Sequence, residues 1–247
     1  MLGFDVKNLM QLIENEKYDL ALENCEQFVS YSMTAFMDSL TVETATSFAA
    51  SAHLYAQICA MIKKPWLAIP KLDSAGGALR FMKDFMTNTE MLCDTYESFA
   101  TSYAYARFYP EAIGHYEKIA KYTDDKERCM KALKLCYFYE KLFGKEVMEE
   151  KNPRAEFISD DELENIIFSA EEEASSQILT DPVEHTDEFL LVRFDVEAKV
   201  DKAISMSENI DDPYCLRYWN EKQRILKDEF GIEWKTPAQM NPNIRFY

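Results

Sequence analysis

The stretch 96–125, YESFATSYAYARFYPEAIGHYEKIAKYTDD, limits the possible folds more than any other part of the chain. Large residues recur along it at helical spacing. Tyr96, Phe99 and Tyr103 form one apolar stripe, and Tyr109, Tyr116 and Ile119 form a second. Ala100 and Ala112 stand in those stripes, where a small side chain lets two helices approach closely. Pro110 sits where the second helix would begin, and its missing N–H costs nothing there. The stretch therefore predicts two helices folded back on each other.

Parts of this pattern recur. KYDLALENCEQF places Tyr18, Ala21, Cys25 and Phe28 at the spacing of its second half. A middle copy runs through Ala52, Tyr55, Ala56 and Cys59, then Pro65, Ala68, Leu72 and Ala75. A further first helix starts near Lys126, with Met130, Leu133 and Tyr137 in register and Lys134 at a position that is small in the other copies. The order of large, small and aromatic residues in 96–125 resembles the tetratricopeptide (TPR) repeat. That resemblance covers about residues 1–143. It implies an all-α fold of stacked antiparallel helix pairs, a TPR-like α-solenoid. Ala21, Ala68 and Ala112 lie roughly 45 residues apart, against about 34 in the TPR, so longer helices are expected.

Composition supports long helices. Six Gly and eight Pro in 247 residues are too few for the turns of a β-rich chain. A 47% hydrophobic content supplies an ample core. Met, Phe and Tyr are abundant, and their side chains fill irregular gaps between helices.

The remainder of the chain reads differently. Acids dominate Glu146 to Leu190, yet helix starts are signalled. Ser159 with Glu162 forms a capping box ahead of Leu163, Ile166 and Ala170. Asp181-Pro182 with Glu184 is a second start, leading into Phe189 and Leu190. Asp212-Pro213 is a third, leading into Leu216 and Trp219 and ending at Gly231. Residues 145–158 look like a linker. The segment from Trp234 carries Pro237 and Pro242, so an extended, aromatic-anchored tail is expected. The expected domains are a TPR-like region over 1–143, an acidic helical region packed on it over 144–230, and a tail over 231–247. Trp219, Trp234, Phe246 and Tyr247 would anchor that tail, either as a cap on the helical stack or on a second subunit or partner.

Charge narrows the function. The net charge of −17 argues against direct nucleic-acid binding and against an anionic membrane surface, because both need a basic face. It fits a basic partner, or a protein that imitates nucleic acid. Cys25, Cys59, Cys93, Cys129, Cys136 and Cys215 form no CxxC pair and read as reduced core residues of a cytoplasmic protein. The apolar run from Phe48 to Ile62 is too short and too polar to span a bilayer and reads as a buried helix. His53, His115 and His185 fall in no metal-binding spacing, and no phosphate-binding loop or nucleophile elbow occurs. No metal, cofactor or catalytic residue is therefore expected. Gly76-Gly77 reads as a close helix contact or a helix end.

Two sets of binding residues remain. His53 is a polar residue on an otherwise apolar helix, either hydrogen-bonded in the core or a ligand contact. The TPR resemblance implies a concave face carrying His53, Gln57, Glu97, Thr101 and Tyr105. The second set is Glu171, Glu172 and Glu173, either a solvated face or an acidic patch for a basic partner. The expected function is a non-catalytic helical-repeat adaptor that binds a protein or peptide. The alternative is an acidic inhibitor that mimics nucleic acid on a basic partner.

Overall fold

The computed structural model describes residues 6–151, 158–206 and 213–246. Among these residues the regular structure is helical and no strand occurs. Among the described residues no helix is long and apolar enough to cross a membrane. Contacts divide the chain into two units, Met1–Leu142 with Glu146–Glu171, and Phe143–Lys145 with Glu172–Tyr247. Segment 146–171 thus groups with the first unit, although the sequence suggested a division near residue 143.

The first unit runs through α1 (Val6–Glu14), α2 (Tyr18–Asp38), α3 (Val42–Met61), α4 (Ile69–Phe85), α5 (Thr89–Tyr105), α6 (Tyr109–Tyr122) and α7 (Lys126–Phe143). It ends within α8 (Asp160–Ser175). Consecutive helices from α1 to α6 pack on one another, and short connections make them antiparallel. α3 also packs on α5, and α2 on α4. This stacked packing is compatible with a helical-repeat fold.

Hydrogen bonds at the turns repeat with the sequence. Glu16, Lys63 and Arg107 each adopt positive φ, at 55°, 60° and 62°. Each stands five residues before one of the repeating alanines, Ala21, Ala68 and Ala112. The N–H of the next residue reaches back five positions in every case, Lys17 to Leu12, Lys64 to Cys59 and Phe108 to Tyr103, each at 2.9 Å. This is the left-handed helix end that ties off the last carbonyls and reverses the chain. The alternate turns end in polar caps instead. Thr41 and Asn88 accept hydrogen bonds from the backbone N–H groups of Thr44 and Met91, and Asp125 accepts from Glu127.

One apolar cluster fills this unit. Ala45, Ala49, Ala52 and Ala56 are buried on α3, and small side chains there favour close approach of its neighbours. Ala21, Ala68 and Ala112 are all buried. Cys129 of α7 donates to the Ala120 carbonyl of α6, which seats the last full helix of the array. The Ser159–Glu162 capping box forms as the sequence suggested, with Ser159 N–H donating to the Glu162 carboxylate at 3.0 Å.

The structure departs from two local expectations. Gly76 and Gly77 lie inside α4, away from its ends, and a Cβ on either would meet nothing within 4 Å. They mark neither a close contact nor a helix end; the neighbouring wall recedes there. Residues 146–150 are also more than a linker. Val147 and Met148 donate N–H groups to the Glu140 carboxylate, and Glu150 donates to buried Glu117.

The second unit contains α9 (Asp187–Ser205), α10 (Tyr214–Phe230) and a single helical turn, α11 (Pro237–Met240). Asp181-Pro182 opens only a 3₁₀ turn, Pro182–His185, because Thr186 caps a fresh helix by accepting from Phe189 N–H. Gly231 ends α10 in the left-handed conformation at φ 70°, in the expected place. Asp212 lies outside the described residues, and α10 starts at Tyr214 after Pro213. The segment expected to be extended contains α11, set by a capping box between Thr236 and Gln239 with Pro237 in the first turn. Trp219 and Phe246 meet edge to face with centroids 5.0 Å apart. Tyr247 lies outside the described residues.

Phe189, Val196, Val200, Ile225, Leu226 and Trp234 make the core of this unit. Lys222 enters it with its side chain only 8% exposed, bonded to Glu197 at 2.8 Å. The rings of Phe189, Tyr218 and Trp234 surround its ammonium at 5.2–5.9 Å from their centroids.

Candidate binding faces and the comparison with known proteins

The residues of the first set fall on two helices. His53 and Gln57 are one turn apart on α3, and Glu97, Thr101 and Tyr105 are successive turns along α5. His53 joins the helices, its Nδ1 lying 3.2 Å from Ser102 Oγ. Burial pushes the His53 imidazolium pKa down, so the ring is a neutral hydrogen-bonding group. Gln57 and Tyr105 are exposed one turn beyond this junction, Tyr105 by 60%.

The other two residues of the set are already engaged. Glu97 receives Arg128 at 3.1 Å and Lys131 at 2.9 Å, both from α7. Thr101 Oγ1 lies 3.5 Å from Tyr116 Oη of α6. The structure therefore brings His53 to α5, while Glu97 and Thr101 help hold α6 and α7. Glu171, Glu172 and Glu173 are exposed on α8. Glu171 meets Lys141 at 3.4 Å.

A cleft that the sequence did not reveal lies among α4, α5 and α6, with a volume of about 460 Å³. Arg80 and Lys83 reach it from α4, and Lys118 from α6. Among the described residues, Arg80 and Lys118 have no carboxylate within ion-pair distance, and Lys83 has only Asp84 at 4.0 Å. Lys118 sits 5.6 Å from the centroid of the Tyr96 ring. Burial lowers its ammonium pKa, Glu149 and Glu117 oppose that, and Lys83 and Arg80 lower it further. Lys118 thus feels the other two cations.

Aromatic groups line the depth of the cleft. The His115 ring stacks on Tyr103 at 5.5 Å and lies 5.7 Å from both Tyr96 and Phe99. Part of the ring edge is accessible, but Nδ1 is buried and has no hydrogen-bond partner among the described residues. Burial, helped by Lys118, pushes the His115 pKa down to about 3, so the ring is neutral at pH 7. Asp73 is the one acid on the described lining, and it accepts the Tyr103 hydroxyl at 2.6 Å. Gly76 forms part of the wall and leaves it open.

Little in the sequence announces this cleft. Arg80 and Lys83 are three apart on one helix, a spacing common on any solvated face. Lys118 is brought to them only by tertiary structure, through the packing of α6 on α5 across the cleft from α4. An overall charge of −17 further conceals a local basic cluster. No family model matches the chain, and neither a curated protein nor a solved structure matches it.

Proposed function

We propose that the chain is a non-catalytic binding module, a TPR-like helical-repeat adaptor that holds a protein or peptide segment on the face shared by α3 and α5. The observation that supports this most directly is the His53–Ser102 junction, which fixes α3 against α5 and leaves Gln57 and Tyr105 exposed beside it. A surface held by packed helices needs little ordering when a partner arrives, so more of the contact energy appears as affinity. A half-exposed tyrosine is also a favoured anchor at protein interfaces. The test is affinity capture from the source cell's extract with the unaltered chain and with Gln57→Ala and Tyr105→Ala. A specific partner retained through moderate salt and lost with Tyr105→Ala supports the reading. Equal capture by all three chains rejects it.

A second reading keeps a specific observation of its own. Glu171, Glu172 and Glu173 stand near the C-terminal end of α8, where the helix dipole disfavours acids and no basic residue occupies the last turn. An acidic patch that contacts a basic protein, in the manner of a nucleic-acid mimic, gives such a placement a use. In that case the partner dissociates as salt rises and is lost when the three glutamates become glutamine.

A further inference from the structure

We infer that the cleft among α4, α5 and α6 is a binding site for a small organic phosphate. Three observations carry the inference. Arg80, Lys83 and Lys118 converge on one cavity, and only Asp73 opposes them on its described lining. That acid already accepts the Tyr103 hydroxyl. In a chain with 44 acids against 27 bases, the chance pairing of exposed cations with carboxylates is favoured, yet Arg80 and Lys118 have none among the described residues.

The charge and the size select the ligand class. A phosphate monoester carries about −1.5 to −2 charges and three acceptor oxygens, which suits several cations at once. A guanidinium matches two phosphate oxygens in parallel, and a lysine adds a point charge. A single carboxylate offers fewer acceptor oxygens to the three side chains than a phosphate does. The cavity of about 460 Å³ is also larger than one inorganic anion needs and falls in the range of small-molecule sites. Leu72, Leu79 and the open wall at Gly76 offer an uncharged surface for the organic part. His115 adds a neutral ring beside it, with a buried nitrogen that no described residue satisfies. The site shares no residue with the α3–α5 face, so it does not depend on the adaptor reading.

Gly76 supplies a direct test. A Cβ there meets nothing within 4 Å and Gly76 lines the cleft, so the side chain of Gly76→Leu is expected to occupy it. Glycine inside a helix is also unfavourable, so the change does not weaken α4. Calorimetric titrations at low salt use inorganic phosphate, ribose 5-phosphate, adenosine monophosphate and citrate. At least one organic phosphate is expected to bind tenfold or more tightly than inorganic phosphate. Arg80→Ala and Lys118→Ala each weaken that binding at least fivefold and flatten its salt dependence. Gly76→Leu abolishes it while helix content and melting temperature are kept. The inference fails if neither organic phosphate binds, if citrate binds in their place, or if inorganic phosphate binds equally well. It also fails if binding survives Gly76→Leu, or survives both Arg80→Ala and Lys118→Ala.

Discussion

His115 shows how much a single residue's surroundings decide. Its ring lies against three aromatic rings and near the Lys118 ammonium, so a proton on it would be both desolvated and repelled. The unfolded chain takes up that proton near pH 6.5, whereas the folded chain resists it down to about pH 3. Stability from the neutral ring is therefore complete above pH 6.5 and is lost as the pH falls toward 3. The loss is about 1.4 kcal/mol per pH unit inside that window. Urea denaturation at pH 7 and pH 5 measures it. The unaltered chain is expected to lose roughly 2 kcal/mol more than His115→Phe over that interval. Contributions from other groups, such as Glu117 with its burial-raised carboxyl pKa, are shared by both chains and cancel in the difference. Equal losses would mean that some other group titrates.

At the scale of the element, the turns inside each helix pair carry a recurring strain. Glu16, Lys63 and Arg107 hold positive φ without being glycine, and all three side chains are exposed. A left-handed conformation costs an L-residue about 1 kcal/mol, and glycine avoids that cost. Arg107→Gly is therefore expected to raise stability by about 0.5–1 kcal/mol, and Arg107→Val to lower it by at least as much, both read by urea denaturation. If the glycine variant is destabilised, Arg107 makes contacts that outweigh its backbone. The helices and the buried alanines were legible in the sequence because period and residue size act locally. These turns were not, because glutamate, lysine and arginine carry no turn signal. Their equivalence is visible only from the backbone angle and the hydrogen bond five residues back. The same reasoning separates the two starts in the acidic region. Ser159 with Glu162 is a complete local device and was readable. Asp181-Pro182 was overridden by Thr186, a competing cap a few residues on.

For the molecule as a whole, the binding features were legible only where one helix presents them. His53 stood out as a polar residue on an apolar helix, whereas its partner Ser102 and the cations of the cleft come together through tertiary packing. The second unit poses the same problem, since Lys222 and Glu197 form a buried pair from residues that read as ordinary surface charges. Its core is separate from that of the first unit, so its stability can be perturbed by itself. Glu197→Ala leaves the Lys222 ammonium buried without its carboxylate, a change that costs about 3 kcal/mol. Hydrogen–deuterium exchange should then accelerate about a hundredfold in the slowest amides of α9 and α10. The amides of α3 and α5 should keep their rates. Replacing both partners, with Glu197→Leu and Lys222→Met, should recover most of the protection, because an apolar pair of similar volume needs no charge compensation. Equal acceleration in α3 would instead make the chain one cooperative unit, and the two cores would then have to unfold together.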